Sequence, residues 1–289
     1  MTKTVGLIGV GLLGGAMAKR IAAEGWQLIA YDIDPDAVRR APVTPAGSNR
    51  EVARACRTIV LSLPDSHIAA AVIGEIAPEL RAGDLLIDTT TGDPNEAEAM
   101  GRTLAARGVQ YLDATVGGSS KQVLSRDVIV LAGGEPEAFR RASPILAAFS
   151  DRMYHLGPCG SGARMKLVLN LVIGLNRAVL AEALSFATAC GFDPMQALDI
   201  LKDGPSYSKV MDIKGEKMIR ADYTPQARLA QHHKDVRLIL AEAERLGAKT
   251  PLSVAHDALL TLAEERGFAS MDNSAVIEAY RVSSKGNPC

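Results

Sequence analysis

The sequence predicts an α/β fold, with a doubly wound, mainly parallel sheet in its first half and an all-α domain after it. Up to about residue 152, short runs rich in Val, Ile and Leu alternate with helical patterns, which is typical of parallel strands covered by helices on both faces. From residue 163 onward only helical segments remain, separated by Gly and Pro. We therefore predict one domain over residues 1–162 and a second over 163–289.

The elements follow this pattern in order along the chain. The predicted strands cover residues 4–9, 27–32, 58–64, 84–90, 109–114 and 127–133, and the first predicted helix covers 13–25. The predicted helices of the second domain cover 163–190, 194–203, 206–220, 226–246, 251–266 and 273–281. The helix 163–190 is strongly apolar, but five polar or charged residues interrupt it too often for a membrane span. We expect it to be buried in a core or a subunit interface, which predicts a homodimer or homotetramer.

Composition narrows the class of partner. Hydrophobic residues make up 47% and charged residues 22%, as in soluble globular proteins. The formal net charge of -1 leaves no basic field for nucleic acid or an anionic membrane, so we expect a small-molecule ligand. The cysteines Cys56, Cys159, Cys190 and Cys289 lack metal-type or disulfide spacing. With no signal-peptide layout, this predicts a cytoplasmic protein with reduced, structural cysteines.

A glycine-rich motif lies between the first predicted strand and the first helix. Gly9, Gly11 and Gly14 form a GxGxxG pattern. In this context the first glycine permits a tight turn, the second lets the backbone approach a pyrophosphate, and the third allows close packing of helix on strand. The pattern predicts a Rossmann-type dinucleotide site, with phosphates at the helix N-terminus.

An acidic residue ends the second predicted strand, where the ribose of a bound dinucleotide would lie. Asp32 can accept hydrogen bonds from both ribose hydroxyls and repels a 2′-phosphate. No arginine follows Asp32 directly. Asp34, which precedes Pro35, is predicted to cap the next helix. We therefore predict NAD as the cofactor, in preference to NADP.

Lys166, Asn170 and Arg177 form a polar stripe on the apolar helix. At 3.6 residues per turn they share one face about 40° wide. The stripe either faces water or lines a site. Because it begins beside a glycine-rich interdomain segment and carries no acidic partner, we predict a site, with Arg177 further along in a structural ion pair.

Taken together, these motifs resemble the β-hydroxyacid dehydrogenase family, which includes 3-hydroxyisobutyrate dehydrogenase. Four segments carry the resemblance in the family's order, namely GVGLLGGAMA (9–18), DATVGGS (113–119), GSGARMKLVLN (160–170) and Lys234-Asp235. The family joins a Rossmann domain to an all-α domain and places the active site in the cleft between them. The resemblance therefore implies an oxidoreductase that uses a nicotinamide cofactor.

The resemblance also implies roles for individual residues. It implies cofactor contacts from Gly9, Gly11, Leu12, Leu13, Gly14, Asp32, Ser62, Leu63, Pro64, Thr91 and Lys234. It implies substrate contacts from Thr115, Gly117, Gly118, Ser119 and Lys121. The loop departs from the family's DAPVSGG, since Gly117 replaces its serine and Ser119 its last glycine. The substrate thus stays open among short β-hydroxy acids and semialdehydes, and Lys121 either reaches an anionic group or is solvated.

Lys166 and Asn170 are the predicted catalytic pair. Oxidation of an alcohol needs a group that accepts the hydroxyl proton, and reduction needs one that returns it. A lysine in apolar surroundings beside a positive ring loses its own proton more readily than a lysine in water. We therefore predict Lys166 as the general acid/base and Asn170 as the residue that orients the substrate.

Two other functions remain open, and a metal centre is not expected. One is an imine reductase-like enzyme on the same fold, and the other is a non-catalytic NAD-binding sensor. Lys166 and the intact catalytic motif favour the dehydrogenase. His232 and His233 are adjacent and would diverge by about 100° on a helix, and Cys159 has no visible base, so we predict no metal and no cysteine nucleophile.

Overall fold

Eight strands form one sheet in the first part of the chain, in a computed structural model that describes residues 3–281. The strands are β1 (Thr4–Ile8), β2 (Gln27–Tyr31), β3 (Thr44–Pro45), β4 (Thr58–Leu61), β5 (Leu85–Asp88), β6 (Gln110–Gly117), β7 (Ile129–Gly134) and β8 (Arg152–His155). Their spatial order is β3-β2-β1-β4-β5-β6-β7-β8. All neighbours pair in parallel except β6 and β7. The first six strands therefore follow the doubly wound dinucleotide-binding order.

Helices cover both faces of this sheet. They are α1 (Leu12–Ala23), α2 (Pro35–Arg39), α3 (Asn49–Ala55), α4 (Ser66–Ile76), α5 (Pro94–Ala105), α6 (Ser120–Leu124) and α7 (Pro136–Leu146), with a 3-10 turn at Ala77–Glu79. One apolar core joins Leu7 and Ile87 to side chains of α1 and α7. The other joins Ile8 and Leu86 to side chains of α3, α4 and α5. Alternate strand residues thus enter opposite cores, as the pleat requires.

The rest of the chain is helical. Its elements are α8 (Ser161–Ala189), α9 (Pro194–Asp203), α10 (Lys209–Ile219), α11 (Leu229–Leu246), α12 (Pro251–Glu265) and a 3-10 helix (Asn273–Ala279). Their core includes Leu184, Leu198, Met218, Val236 and Leu260. The chain divides into two compact units, one ending at Lys166 and the next beginning at Leu167. The α/β class with a helical second part is confirmed.

The structure differs from the predicted elements in four places. The strand predicted over 109–114 extends through Gly117, so it carries the start of the predicted substrate loop. The short strands β3 and β8 were not predicted. The last predicted helix, 273–281, is a 3-10 helix instead. Residues 282–289 of the predicted second domain, Cys289 among them, lie outside the described residues.

Helix α8 is long and apolar. Its most apolar 18-residue window has a mean hydropathy of 1.7, with 44% of that window buried. By length and composition alone this helix could cross a membrane, a test that the core helix of a soluble protein also passes.

Gly174 lets α8 approach α11 and α12 closely, since a Cβ there would lie 2.6 Å from His232 Nε2 and 2.7 Å from His256 Cε1.

Candidate active site

The turn between β1 and α1 holds the glycines of the predicted dinucleotide motif. Gly9 has a φ of +92°, and a Cβ there would lie 2.2 Å from the Ser62 carbonyl oxygen, so only glycine fits. A Cβ at Gly14 would lie 2.1 Å from the Gly9 carbonyl oxygen. A Cβ built at Gly11, by contrast, would have no neighbouring heavy atom of the described residues within 4 Å. No described side chain caps the N-terminus of α1. Open space therefore borders the first N–H groups of α1, which is the arrangement that accepts a pyrophosphate.

Asp32 lies just beyond β2 and is fixed by two backbone hydrogen bonds. Val10 N donates to its Oδ2 at 2.6 Å, and Asp34 N donates to its Oδ1 at 2.8 Å. The carboxylate is therefore tied to the glycine turn itself. Asp34 accepts from Asp36 N at 2.9 Å and caps α2, as predicted for it. Asp32 is thus the acid available for a ribose.

Apart from Lys234, which lies in α11, the other predicted cofactor residues follow β1, β4 and β5 at the carboxyl edge of the sheet. Ser62 N donates to Ile8 O at 2.9 Å, and Leu63 N donates to Thr90 Oγ1 at 3.2 Å. The half-buried Thr91 follows Thr90. Around them lie Leu12, Leu13 and Pro64, which are exposed or half-buried. In doubly wound sheets, ligands bind at this edge, beside the point where the strand order reverses. That point lies between β1 and β4.

The predicted substrate loop is the end of β6 together with α6. Thr115 is fully buried, and its hydroxyl donates to the carbonyls of Gly162 at 3.2 Å and Leu131 at 3.4 Å. Ser119 caps α6 in a reciprocal pair with Gln122, which engages both its hydroxyl and its N–H. These two hydroxyls therefore hold the loop in shape. Gly117 is half-buried, whereas Gly118 and Lys121 are exposed.

The polar stripe of α8 is buried. Lys166 and Asn170 are each 8% exposed and Arg177 is 4% exposed, so the alternative that the stripe faces water is wrong. Burying a lysine and an amide on an otherwise apolar helix costs free energy unless polar partners compensate. Such burial is a mark of candidate functional groups. Lys166 and Asn170 lie one turn apart on the same face.

Asn170 is held by a carboxylate from α11. Its Nδ2 donates to Asp235 Oδ2 at 2.8 Å, and Lys234 Nζ lies 3.3 Å from Asp235 Oδ1. Asp235 is therefore the centre of a group that orients the Asn170 amide. Since Nδ2 donates to a carboxylate, Oδ1 remains the amide's acceptor side.

The predicted ion pair of Arg177 is not found among residues 3–281. Its Nε and Nη1 atoms are buried and have no hydrogen-bond partner there. Burial lowers the pKa of Arg177 to about 10, and the negative charge of Asp272 opposes this shift. Asp272 instead forms its ion pair with Lys214, at 2.8 Å.

The histidines and cysteines do not form a metal site in the part of the chain that the structure describes, where no cluster of three metal-ligating side chains occurs. His232 stacks obliquely on His256 at 5.2 Å, whereas His233 hydrogen-bonds Asp257 at 2.9 Å. Burial, together with the negative charge of Asp113, raises the pKa of Cys159 to about 11. That direction is opposite to the shift that activates a nucleophilic thiol.

Two buried carboxylates near the candidate residues were not singled out by sequence reasoning. Asp235 holds Asn170, and Asp113 accepts hydrogen bonds from the first turn of α8. Burial raises the pKa of Asp113 to about 7, against the opposing effect of those hydrogen bonds. Each belongs to a motif quoted above, DATVGGS or Lys234-Asp235, so the motifs marked them without indicating what they contact.

Comparison with known proteins supplies the family. The profile described as the NAD binding domain of 6-phosphogluconate dehydrogenase matches residues 4–157. A second profile, described as NAD-binding of NADP-dependent 3-hydroxyisobutyrate dehydrogenase, matches residues 160–280. The chain belongs to the NAD(P)-dependent β-hydroxyacid dehydrogenase family. It is therefore an oxidoreductase, and the predicted family is confirmed.

Relatives within the β-hydroxyacid dehydrogenases differ in the substrates they are named for. The chain is 30% identical to 3-sulfolactaldehyde reductase of Escherichia coli, covering 96% of both chains. It is 29% identical to L-threonate dehydrogenase of Cupriavidus necator, covering 97% of both. A solved structure, 3-hydroxyisobutyrate dehydrogenase of Salmonella typhimurium, aligns with a TM-score of 0.88 at 25% identity, over 95% of this chain and 99% of that one. Family membership therefore leaves the substrate open.

Proposed function

We propose that this chain transfers a hydride between NAD and a short-chain β-hydroxy acid or its semialdehyde, with Lys166 as the general acid/base. The observation that carries the proposal is the burial of Lys166 one turn from Asn170, on the polar face of α8. When bound, NAD supplies the hydride acceptor or donor. The protein's task is then to bind the substrate and move one proton.

Lys166 Nζ takes the proton from the substrate hydroxyl during oxidation and returns it to the carbonyl oxygen during reduction. Asn170 orients the substrate oxygen through Oδ1, because its Nδ2 is held by Asp235 at 2.8 Å. Lys234, beside Asp235, is proposed to face the cofactor side of the site.

NAD is proposed as the preferred cofactor because Asp32 is held facing the glycine turn by Val10 N and Asp34 N. A carboxylate at that place hydrogen-bonds ribose hydroxyls and repels a 2′-phosphate. Ser62, Leu63, Pro64 and Thr91 contact the remaining cofactor, beyond the carboxyl ends of β4 and β5.

The substrate carboxylate is proposed to bind backbone N–H groups at Gly117 and Gly118. Lys121 is exposed beside them and supplies a positive charge for a second anionic group. Thr115 and Ser119 act through the loop's shape, since their hydroxyls bond within the protein. We also propose a cytoplasmic homodimer or homotetramer.

NADH formation with a panel of hydroxy acids tests the proposal. The panel is 3-hydroxyisobutyrate, 3-hydroxypropionate, glycerate, threonate, 4-hydroxybutyrate and dihydroxypropanesulfonate, each with NAD+ and with NADP+. We expect turnover of at least one compound with NAD+ preferred. Tight NADH binding without turnover of any compound would favour the sensor. NADH consumption with added cyclic imines, in the absence of any turnover of the panel, would favour the imine reductase.

A further inference from the structure

The first turn of α8 is capped from a distant strand. Asp113, in β6, is 2% exposed. Its Oδ1 accepts from Gly160 N at 2.9 Å, and its Oδ2 accepts from Ala163 N at 2.8 Å. The first N–H groups of a helix have no partner within the helix. One carboxylate therefore satisfies two backbone donors at the start of α8.

The same turn lies against β6 and β7 at very short range. A Cβ at Gly162 would lie 2.4 Å from the Leu131 carbonyl oxygen and 2.8 Å from an oxygen of the Asp113 carboxylate. A Cβ at Gly133 would lie 2.6 Å from the other oxygen of that carboxylate. Thr115 closes the contact with its hydroxyl bond to Gly162 O. The motif glycine Gly162 thus serves close packing of helix on strand.

The contact between the first turn of α8 and strand β6 connects Lys166 with the substrate loop, and both lie in the first unit. Lys166 follows Ala163 by three residues, which is about 4.5 Å along the helix. Gly117, at the start of the substrate loop, ends the strand that carries Asp113. A displacement of about 1 Å in a reacting group can cost about 100-fold in rate. The carboxylate therefore lies where it can set the position of the lysine relative to the loop.

A second buried carboxylate, Asp88, lies on the strand next to that of Asp113. Asp88 lies opposite Asp113 in the register of β5 and β6. It accepts from Thr90 N at 2.9 Å and from the Tyr111 hydroxyl at 2.8 Å. Asp88 thus holds the loop before Thr91, whereas Asp113 holds α8. Both Asp88 and Asp113 line one small cavity with Tyr111 and Ala163.

We propose that Asp113 is a positioning residue for Lys166, whose buried carboxylate fixes the first turn of α8 against the strand that carries the substrate loop. The inference rests on the proposed function only in its consequence for turnover. Asp113 touches neither the substrate nor the cofactor in this scheme. Its effect on α8 is measurable without activity.

The matched variants are Asp113→Asn and Asp84→Asn. Asn keeps the shape of Asp113, but its amide nitrogen cannot accept a hydrogen bond. Asp84 is a buried carboxylate at the amino end of β5, bound to Arg57 Nε at 2.7 Å and Arg81 N at 2.7 Å. Hydrogen exchange at the Gly160 and Ala163 amides should accelerate at least tenfold in D113N alone. Amine labelling of Lys166, but not of Lys121, should also change at least threefold in D113N alone.

Steady-state kinetics supply the functional arm. With the panel compound that the wild type oxidises fastest, D113N should lower kcat at least tenfold while the Kd for NADH stays within twofold, and D84N should leave kcat within twofold. Gly162→Ala, which displaces the same turn but keeps the Asp113 carboxylate, should act like D113N. Rapid exchange of both amides in the wild type, or equal exchange in D113N and D84N, overturns the inference. An inactive wild type would contradict the proposed function. Hydrogen exchange at the two amides and amine labelling of Lys166 would still decide the role of Asp113.

Discussion

Asp32 is the residue on which the proposed preference for NAD depends. Asp32→Asn keeps the shape of the side chain and removes its charge, so a 2′-phosphate is no longer repelled. We expect the ratio of kcat/KM for NAD+ over NADP+ to fall at least tenfold. Asp34→Asn is the control, because Asp34 caps α2 without a proposed cofactor contact. An unchanged ratio in D32N would show that another group discriminates between the cofactors.

Asn170 depends on Asp235, which predicts non-additive effects. Asp235→Ala removes the acceptor of the Asn170 amide, so the substrate oxygen loses its orientation and kcat should fall at least tenfold. Because the two residues act as one unit, the double variant N170A/D235A should be no slower than N170A. Measurement of kcat at saturating NAD+ for the four proteins completes the cycle. Simple multiplication of the two losses would contradict the shared role.

The strands show which elements local pattern can predict. Strands β1, β4 and β5 are buried runs of Val, Ile and Leu, and each is predicted at its place. Strand β3 has two residues, one of them Pro45, and β8 has mainly exposed side chains at the edge of the sheet. Neither carries an apolar run. Their strand geometry depends on a neighbouring strand, which a local pattern does not contain.

The contacts of the candidate site likewise fall into local ones, which the sequence predicts, and long-range ones, which it does not. The spacing of the motif glycines and of Lys166 and Asn170 is local, so the sequence predicts which side chains share a turn or a helix face. The bonds from Asp113 and Asp235 join residues 47 and 65 positions apart. For Arg177 the sequence predicts an ion pair that is absent from the described residues. Asp272 pairs with Lys214 instead. Long-range partners of buried charges thus need the fold.

The burial of Asp113 predicts a pH dependence of stability. Burial raises the pKa of Asp113 from 3.8 to about 7, so the folded protein holds this proton more tightly than the unfolded chain. The contribution to stability is therefore complete below about pH 4 and is lost as the pH rises to about 7. The free energy of unfolding of the wild type, minus that of D113N, should fall across this window by at most about 1.4 kcal/mol per pH unit.

Urea unfolding at pH 5, 6, 7 and 8 measures this difference. Asp88, whose pKa burial also raises, and Cys159 and Tyr111 face Asp113 in both proteins, so their own titration largely cancels. The variant D84N should keep the wild-type slope. A difference between the wild type and D113N that is constant or grows with pH would contradict the raised pKa.

The assembled molecule is expected to be an oligomer built on α8. Val168, Val172, Val179 and Phe186 are each more than half exposed. They share one face about 40° wide, opposite the stripe of Lys166 and Asn170. An exposed apolar stripe of this kind marks an interaction surface. The helix thus buries the polar stripe of Lys166 and Asn170 and exposes an apolar stripe on the opposite face.

Light scattering after size-exclusion chromatography tests this expectation. The wild type should elute as a dimer or tetramer, and the double variant Val179→Lys with Phe186→Lys should elute as a smaller species. Ile33→Lys, which changes an exposed apolar residue outside α8, should leave the mass unchanged. A monomeric wild type would remove the proposed assembly.

Amine rescue of the variant Lys166→Ala tests whether Lys166 transfers the substrate proton. General acid/base groups contribute about 100- to 10,000-fold, so kcat of K166A should fall by that factor while the Kd for NADH stays within twofold. Added methylamine should restore part of the rate in proportion to its unprotonated fraction, and should not accelerate N170A. Near-native turnover of K166A, or a loss that no amine restores, would contradict the assignment of the proton to Lys166.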